Sequence, residues 1–334
     1  MKLKDLGWEL YKENLNQEFN VLEENIARVA VENRGSYLLY AQAGELEGIM
    51  RGKFMRGKKA DSEYPKVGDW VVFEKLLAEE KAIITSILPR KSKISRKKIG
   101  KKLNEQIIAS NVDIVFIVQG LDGDFNLNKL ARYVAMTKEG GCEAIILLNK
   151  CDLVADAEDK LKLAQESLPE IKIFLTSATT GAGIENAQSQ IATGVSLVFV
   201  GSSGVGKSTL INKLLGIDRQ KIGEARLIDS KGRHTTTRRE LILLSSGGIL
   251  IDTPGMRELG MWAEEAAATE AFEDIDVLTK NCKFSDCDHA VCQGCAVVVA
   301  VGRGEIAQDR YARFLKLKQE IDLRQKKVWK KVKM

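Results

Sequence analysis

The eight residues Gly201-Ser202-Ser203-Gly204-Val205-Gly206-Lys207-Ser208 constrain this chain more than any other feature. They match G-x-x-x-x-G-K-[ST] and stand directly after the apolar run VSLVFV and before TLINKLLG, which are the strand and helix the motif requires. Glycines at these spacings let backbone amides turn inward around phosphate oxygens at a helix N-terminus. Lys207 adds a cation, Ser208 offers a magnesium ligand, and Thr209 continues the first helical turn beside them. A chance match in a chain of 334 residues is on the order of one per cent at ordinary glycine usage.

The strand before that loop is one of a series. VDIVFIVQ, EAIILLNK, IKIFLTSA and VSLVFVG are continuous apolar runs, and LNKLARYVAMTKE, AEDKLKLAQESL and GIENAQSQI between them have helical patterning. This alternation predicts a parallel sheet with helices on both faces, over residues 104–260. RELILLSS and GILIDTP, separated by Gly247-Gly248, read as a hairpin at the sheet edge.

Phosphate binding alone does not choose a base. Asn149-Lys150-Cys151-Asp152 follows the strand EAIILL and has the form N-K-x-D, whose aspartate accepts two hydrogen bonds from the guanine edge. Adenine has no such donor pair and would leave the carboxylate desolvated and unpaired. Ser177-Ala178, after the next strand, resembles the loop that closes over the base in GTPases. Asp252-Thr253-Pro254-Gly255 supplies an aspartate suited to holding magnesium through water and a glycine amide for the γ-phosphate. Before it, in Gly232-Arg233-His234-Thr235-Thr236-Thr237, one of Thr235, Thr236 and Thr237 is expected on the magnesium when the third phosphate is present. Many GTPases carry a glutamine after D-x-x-G to orient water, but here the residue is Met256, and a thioether cannot polarise water. His234 is the replacement candidate, and slow intrinsic turnover follows.

Upstream, IARVAVE, SYLLYAQ, ELEGIMRGKFM, VGDWVVFEK and KAIITSIL read as five short strands, and an OB-type barrel is expected, a fold that commonly binds oligonucleotides. The net charge of +5 hides a strong asymmetry. Residues 90–102 carry eight basic residues and no acid, and residues 313–334 carry nine basic and two acidic, leaving the rest of the chain at −10. Positive charge concentrated in this way attracts nucleic-acid phosphate. The N-terminus lacks the apolar stretch of a secretory signal and no run approaches a membrane span, so a cytoplasmic chain is expected, with its six cysteines reduced and any cluster of them read as metal-binding. Cys282-x₄-Cys287-x-His289-x₅-Cys295 is such a cluster, fit for tetrahedral zinc in a closed structural site, although on spacing alone Cys292 competes with Cys295. Beyond it, Tyr311, Phe314, Leu317 and Ile321 recur at helical spacing on a basic segment and predict a packing face.

The guanine-nucleotide motifs run base, phosphate, switch, a circular permutation of the usual GTPase order. Through NKCD, GSSGVGKS, GRHTTT, DTPGMREL and the cysteine motif, the chain resembles the bacterial ribosome small-subunit-dependent GTPase A family over nearly its whole length. The resemblance implies three domains: an all-β OB-type barrel with an N-terminal extension and basic linker over 1–103, a permuted α/β GTPase domain over 104–260, and a mainly α zinc-binding domain over 261–334. It assigns zinc to Cys282, Cys287, His289 and Cys295 and leaves Cys292 out. GTP or GDP, Mg²⁺ and Zn²⁺ are the implied cofactors, and the small ribosomal subunit and rRNA the partners of a monomer that hydrolyses GTP in late subunit maturation. A nucleotide-gated RNA-binding adaptor with incidental hydrolysis is the rival reading.

Overall fold

The computed structural model describes residues 1–13, 21–33, 35–51, 61–76, 81–98, 104–216, 239–252, 273–279, 281–284, 287–290, 292–312 and 314–315. The chain forms two compact units, Met1–Trp262 and Ala263–Met334.

In the first unit, β1 (Ile26–Glu32), β2 (Tyr37–Ala41), β3 (Gly44–Met50), β4 (Trp70–Lys75) and β5 (Lys81–Ile87) close into the expected barrel. Pairing runs β1-β2-β3-β5-β4 and returns to β1, with β3–β5 parallel and the other pairs antiparallel. Strand alternation sends Val29, Leu39, Leu46, Phe73, Ala82 and Ile84 into its core. The N-terminal residues belong to this fold. Gly7, at φ 85°, lies where a side chain would strike the Gly194 carbonyl, and it turns the chain into α1 (Trp8–Glu13). Trp8 and Tyr11 of that helix pack on Trp70, with ring centroids 5.0 and 5.6 Å away.

The outward side of β1 is buried as well, because Arg28 there spans the join between barrel and α/β sheet. Its guanidinium donates to the carbonyls of Leu6 (2.5 Å), Gly68 (3.3 Å) and Asn111 (3.0 Å) and to Ser196 Oγ (2.8 Å), and lies 5.4 Å from the Trp70 ring centre. Burial lowers its pKa to about 10, which leaves it charged at neutral pH. These acceptors compensate for the lost water.

The basic run, read from the sequence as a basic linker, pairs as a strand: β6 (Lys93–Lys98) is antiparallel to β7 (Asn104–Ser110). Next come β8 (Ile114–Gly120), α2 (Leu127–Glu139), β9 (Glu143–Asn149), α3 (Ala157–Ser167), β10 (Lys172–Leu175), α4 (Ile184–Gln188), β11 (Ser196–Val200), α5 (Lys207–Leu215), β12 (Glu240–Leu243) and β13 (Ile249–Asp252). The sheet order is β10-β9-β8-β11-β13-β12, parallel except for the β12–β13 hairpin. Phe116 and Phe199 stack at 5.1 Å in a core with Leu210 and Ile211 of α5 and Ile184 of α4. The hairpin is as expected, but β12 also meets the barrel, where Glu240 pairs with Val31 of β1.

In the second unit, α6 (Glu273–Thr279) and α7 (Ala296–Gly302) flank the cysteine motif. Ile275, Val297, Ala300, Tyr311 and Phe314 form its core, so the first half of the predicted packing face is buried, while Leu317 and Ile321 lie outside the described residues. Among the described residues no helix is long and apolar enough to cross a membrane.

Candidate functional site

The base, phosphate and magnesium motifs all begin at carboxyl ends of parallel strands: Asn149 ends β9, the phosphate loop follows β11, and Asp252 ends β13. In the sheet β9 is separated from β11 by β8 alone, and β13 lies directly beside β11. Loops some 100 residues apart in sequence therefore leave one edge of one sheet, where open α/β folds bind ligands.

Asn149 joins three of these loops. Its buried side chain donates from Nδ2 to the Val205 carbonyl of the phosphate loop at 2.8 Å, while its Oδ1 accepts from the Ala178 amide at 3.1 Å and from Thr176 Oγ1 at 3.4 Å. Gly206 makes this approach possible, since a Cβ there would sit 2.6 Å from Asn149 Nδ2. Gly201, at φ 143°, packs so closely on β8 that a Cβ would strike the Val118 carbonyl. After Asn149 the chain turns through Lys150, left-handed at φ 66°, into the short helical turn Cys151–Leu153, which leaves Asp152 exposed at the rim. The Cys151 amide donates to the Thr176 carbonyl (3.2 Å), and the Ser177 hydroxyl accepts from the Thr180 amide (3.0 Å), so the base-closing loop is braced from both sides.

Lys207, buried at the start of α5, donates to the Gly201 carbonyl at 2.8 Å and to that of Ser202. Val205 faces the sheet core, whereas Ser203, Gly204, Ser208 and Thr209 are exposed along the loop and first turn of α5. Asp252 is half-buried opposite Glu240 in the hairpin. His234, Thr235, Thr236, Thr237, Gly255 and Met256 lie outside the described residues.

One part of the site had no motif to announce it, the β8–α2 loop. Asp122 accepts from Lys150 Nζ at 2.6 Å, a hydrogen bond that holds the Asp122 carboxyl below its ordinary value. Two residues on, Asp124 meets Lys129 Nζ at 3.2 Å, and the same ammonium donates to Ser202 Oγ in the phosphate loop at 2.5 Å. The available signal was Asn126, an N-cap residue that accepts from the Lys129 amide (3.0 Å) and starts α2 where Lys129 reaches the loop.

In the second unit the ligand atoms of Cys282, Cys287, His289 and Cys295 lie within 4.8 Å of one another. Cys282 Sγ is 3.8 Å from Cys295 Sγ, and His289 Nδ1 is 3.4 and 3.7 Å from those two sulfurs. Bonds of about 2.3 Å to sulfur and 2.0 Å to nitrogen around a tetrahedral zinc require edges of about 3.8 and 3.5 Å, so the donor set fits that ion. His289 has a left-handed backbone (φ 60°), and its carbonyl is held by the Tyr311 hydroxyl at 2.7 Å. Cys292 stands outside this set and donates to Asp288 Oδ1 at 3.1 Å.

Residues 87–262, more than half of the chain, match the RsgA GTPase family model. The small ribosomal subunit biogenesis GTPase RsgA 1 of Oceanobacillus iheyensis is 38% identical, over 97% of this chain and 95% of the relative. The RsgA of Leptospira interrogans serovar Lai is 40% identical, over 84% and 77%. Among solved structures, YjeQ from Thermotoga maritima superposes with a TM-score of 0.54 at 26% identity, covering 89% of this chain and 98% of that one. YloQ, described as a circularly permuted GTPase, gives 0.51 at 25% identity over 92% and 98%. The sheet order, the rotated motif order and these likenesses agree, and they favour a hydrolase over an adaptor: the chain belongs to the RsgA GTPase family and is a GTP hydrolase with a circularly permuted nucleotide domain.

Proposed function

We propose that this chain binds one magnesium-bound guanine nucleotide across the carboxyl edge of its parallel sheet and hydrolyses GTP to GDP and phosphate during late maturation of the small ribosomal subunit. The observation that carries this reading is the position of Asn149, a single buried side chain bonded to both the phosphate loop and the base-closing loop. Asp152 reads the guanine edge, Lys150 and Cys151 flank it, and the Ser177-Ala178 backbone closes over the base. Gly201 through Gly206 wrap the phosphates with their amides, Lys207 neutralises charge there, and Ser208 with one of Thr235, Thr236 and Thr237 holds magnesium, backed by Asp252. Thr209 continues the helix turn, Gly255 meets the γ-phosphate, and His234 orients the attacking water in place of the missing glutamine.

The names of the relatives support the ribosomal role, and the basic runs at 90–102 and 313–334 support contact with rRNA. Cys282, Cys287, His289 and Cys295 hold a structural zinc; four protein ligands leave it no open position for catalysis. The remaining parts of the reading are a barrel over 1–103, a nucleotide domain over 104–260 and a zinc domain over 261–334, acting as a cytoplasmic monomer. Single-turnover GTP hydrolysis with and without purified small subunits, across a salt series, tests this function. Slow turnover alone, accelerated by the subunit and losing that acceleration as salt rises, is expected. Equal rates with and without subunits at every salt concentration would overturn it.

A further inference from the structure

Two lysines meet on one residue of the phosphate loop, and the motif accounts for one of them. Lys207 bonds the Ser202 carbonyl, whereas Lys129, 73 residues before Ser202 and on another helix, donates to the Ser202 hydroxyl at 2.5 Å. The aim of Lys129 is set by several bonds. Gln119, at the end of β8, accepts from the Asn126 amide at 3.2 Å and donates to the Asn126 carbonyl at 3.3 Å. Asn126 then caps α2 through the Lys129 amide, and the Lys129 side chain, only 16% exposed, extends from that first turn to the loop. Its carboxylate partner is Asp124, at 3.2 Å through Oδ1, and the buried Asp124 Oδ2 has no hydrogen-bond partner among the described residues.

We infer that Lys129 is a positioning residue for the nucleotide: through the Ser202 hydroxyl it fixes the first turn of the phosphate loop and brings a second positive charge to the phosphate site. The inference rests on the proposed nucleotide reading of that loop. An ammonium held on the loop in a half-buried setting strengthens attraction for an anion, and a triphosphate gains more than a diphosphate because it carries more negative charge. Asp124, 3.2 Å from the ammonium, helps to keep it in place beside the loop. Ser202 therefore contributes through its hydroxyl as well as its backbone, which the motif does not require of that position.

The test is a double-mutant cycle on the full-length protein, with affinities for GDP and for a non-hydrolysable GTP analogue measured by fluorescent-nucleotide titration at several salt concentrations. Lys129→Met is expected to weaken the GTP analogue about tenfold, and GDP less, with a shallower salt dependence. Ser202→Ala should weaken it in part, and the double variant should be no weaker than Lys129→Met alone. Lys129→Arg should recover part of the loss. Additive effects of the two substitutions, or equal losses for GDP and the GTP analogue with an unchanged salt slope, would overturn the inference. Thermal melting and zinc content of each variant separate misfolding from a binding effect. Failure of the underlying reading looks different, since the unsubstituted protein would then bind neither nucleotide.

Discussion

Replacing Asn149 with alanine removes a buried side chain that ties the phosphate loop to the base-closing loop. The substitution deletes the bonds to the Val205 carbonyl (2.8 Å) and from the Ala178 amide (3.1 Å), both made by a side chain 1% exposed. A buried backbone group left without a partner costs about 1–3 kcal/mol. Two such groups give about 2–4 kcal/mol if they are orphaned at the low to middle end of that range. If the loops stay in place, this loss appears as a lower melting temperature of the nucleotide-free protein. If they relax to find water, it appears as weaker nucleotide binding, because the nucleotide must reorder them. The stability of the nucleotide-bound folded state falls by the same total either way, equivalent to about 30- to 1,000-fold in a binding constant. Calorimetric GDP titration combined with denaturant unfolding of the free protein measures both parts. A combined loss below about 1 kcal/mol, the worth of one ordinary hydrogen bond, would refute Asn149 as the joint between the loops.

Four other outcomes follow from the same reading of the site. Asp152→Asn should weaken GTP and favour xanthosine triphosphate, whose base edge accepts where guanine donates; competition titration with both nucleotides checks this. His234→Ala should leave GDP affinity within a few-fold while lowering subunit-stimulated hydrolysis by about 10²-fold or more, and normal single-turnover rates would remove the histidine from the mechanism. Cys142 is buried, its thiol pushed up to about 11, so native-state alkylation at pH 8 should spare it and modify the half-buried Cys151, with saturating GDP protecting Cys151; mass spectrometry of the labelled peptides reads both. Asp122 is depressed by Lys150, so the pair is intact above the unperturbed aspartate range and opens only as pH falls through the lowered value; GDP affinity should stay flat from pH 8 to about 5.

The α/β sheet was legible because each of its central strands is a continuous apolar run, which marks burial on both faces, and because LNKLARYVAMTKE is bounded by Asn126 and Gly140, a capping residue and a glycine. The barrel was legible through alternation and regular turn spacing. The site motifs were legible because phosphate, guanine and zinc each demand particular residue types at fixed spacing. What escaped was contact between distant segments with no spacing of its own. Arg28 gave no sign of bonding Leu6, Asn111 and Ser196, up to 168 residues away. Nothing in the helical pattern of LNKLARYVAMTKE singled out Lys129, since only the fold brings α2 up to Ser202. The basic run 90–102 carries two apolar residues, Ile94 and Ile99, among its charges, and its strand pairing comes from the partner Asn104–Ser110 rather than from its own pattern.

Calorimetric titration of the intact protein with GDP and with ADP, in the presence of magnesium, tests most directly whether the three strand-end loops build one guanine site. One GDP per chain, with ADP uptake at least 100-fold weaker and most of that selectivity lost in Asp152→Asn, is the predicted result. No GDP uptake, or equal uptake of the two nucleotides, would contradict it.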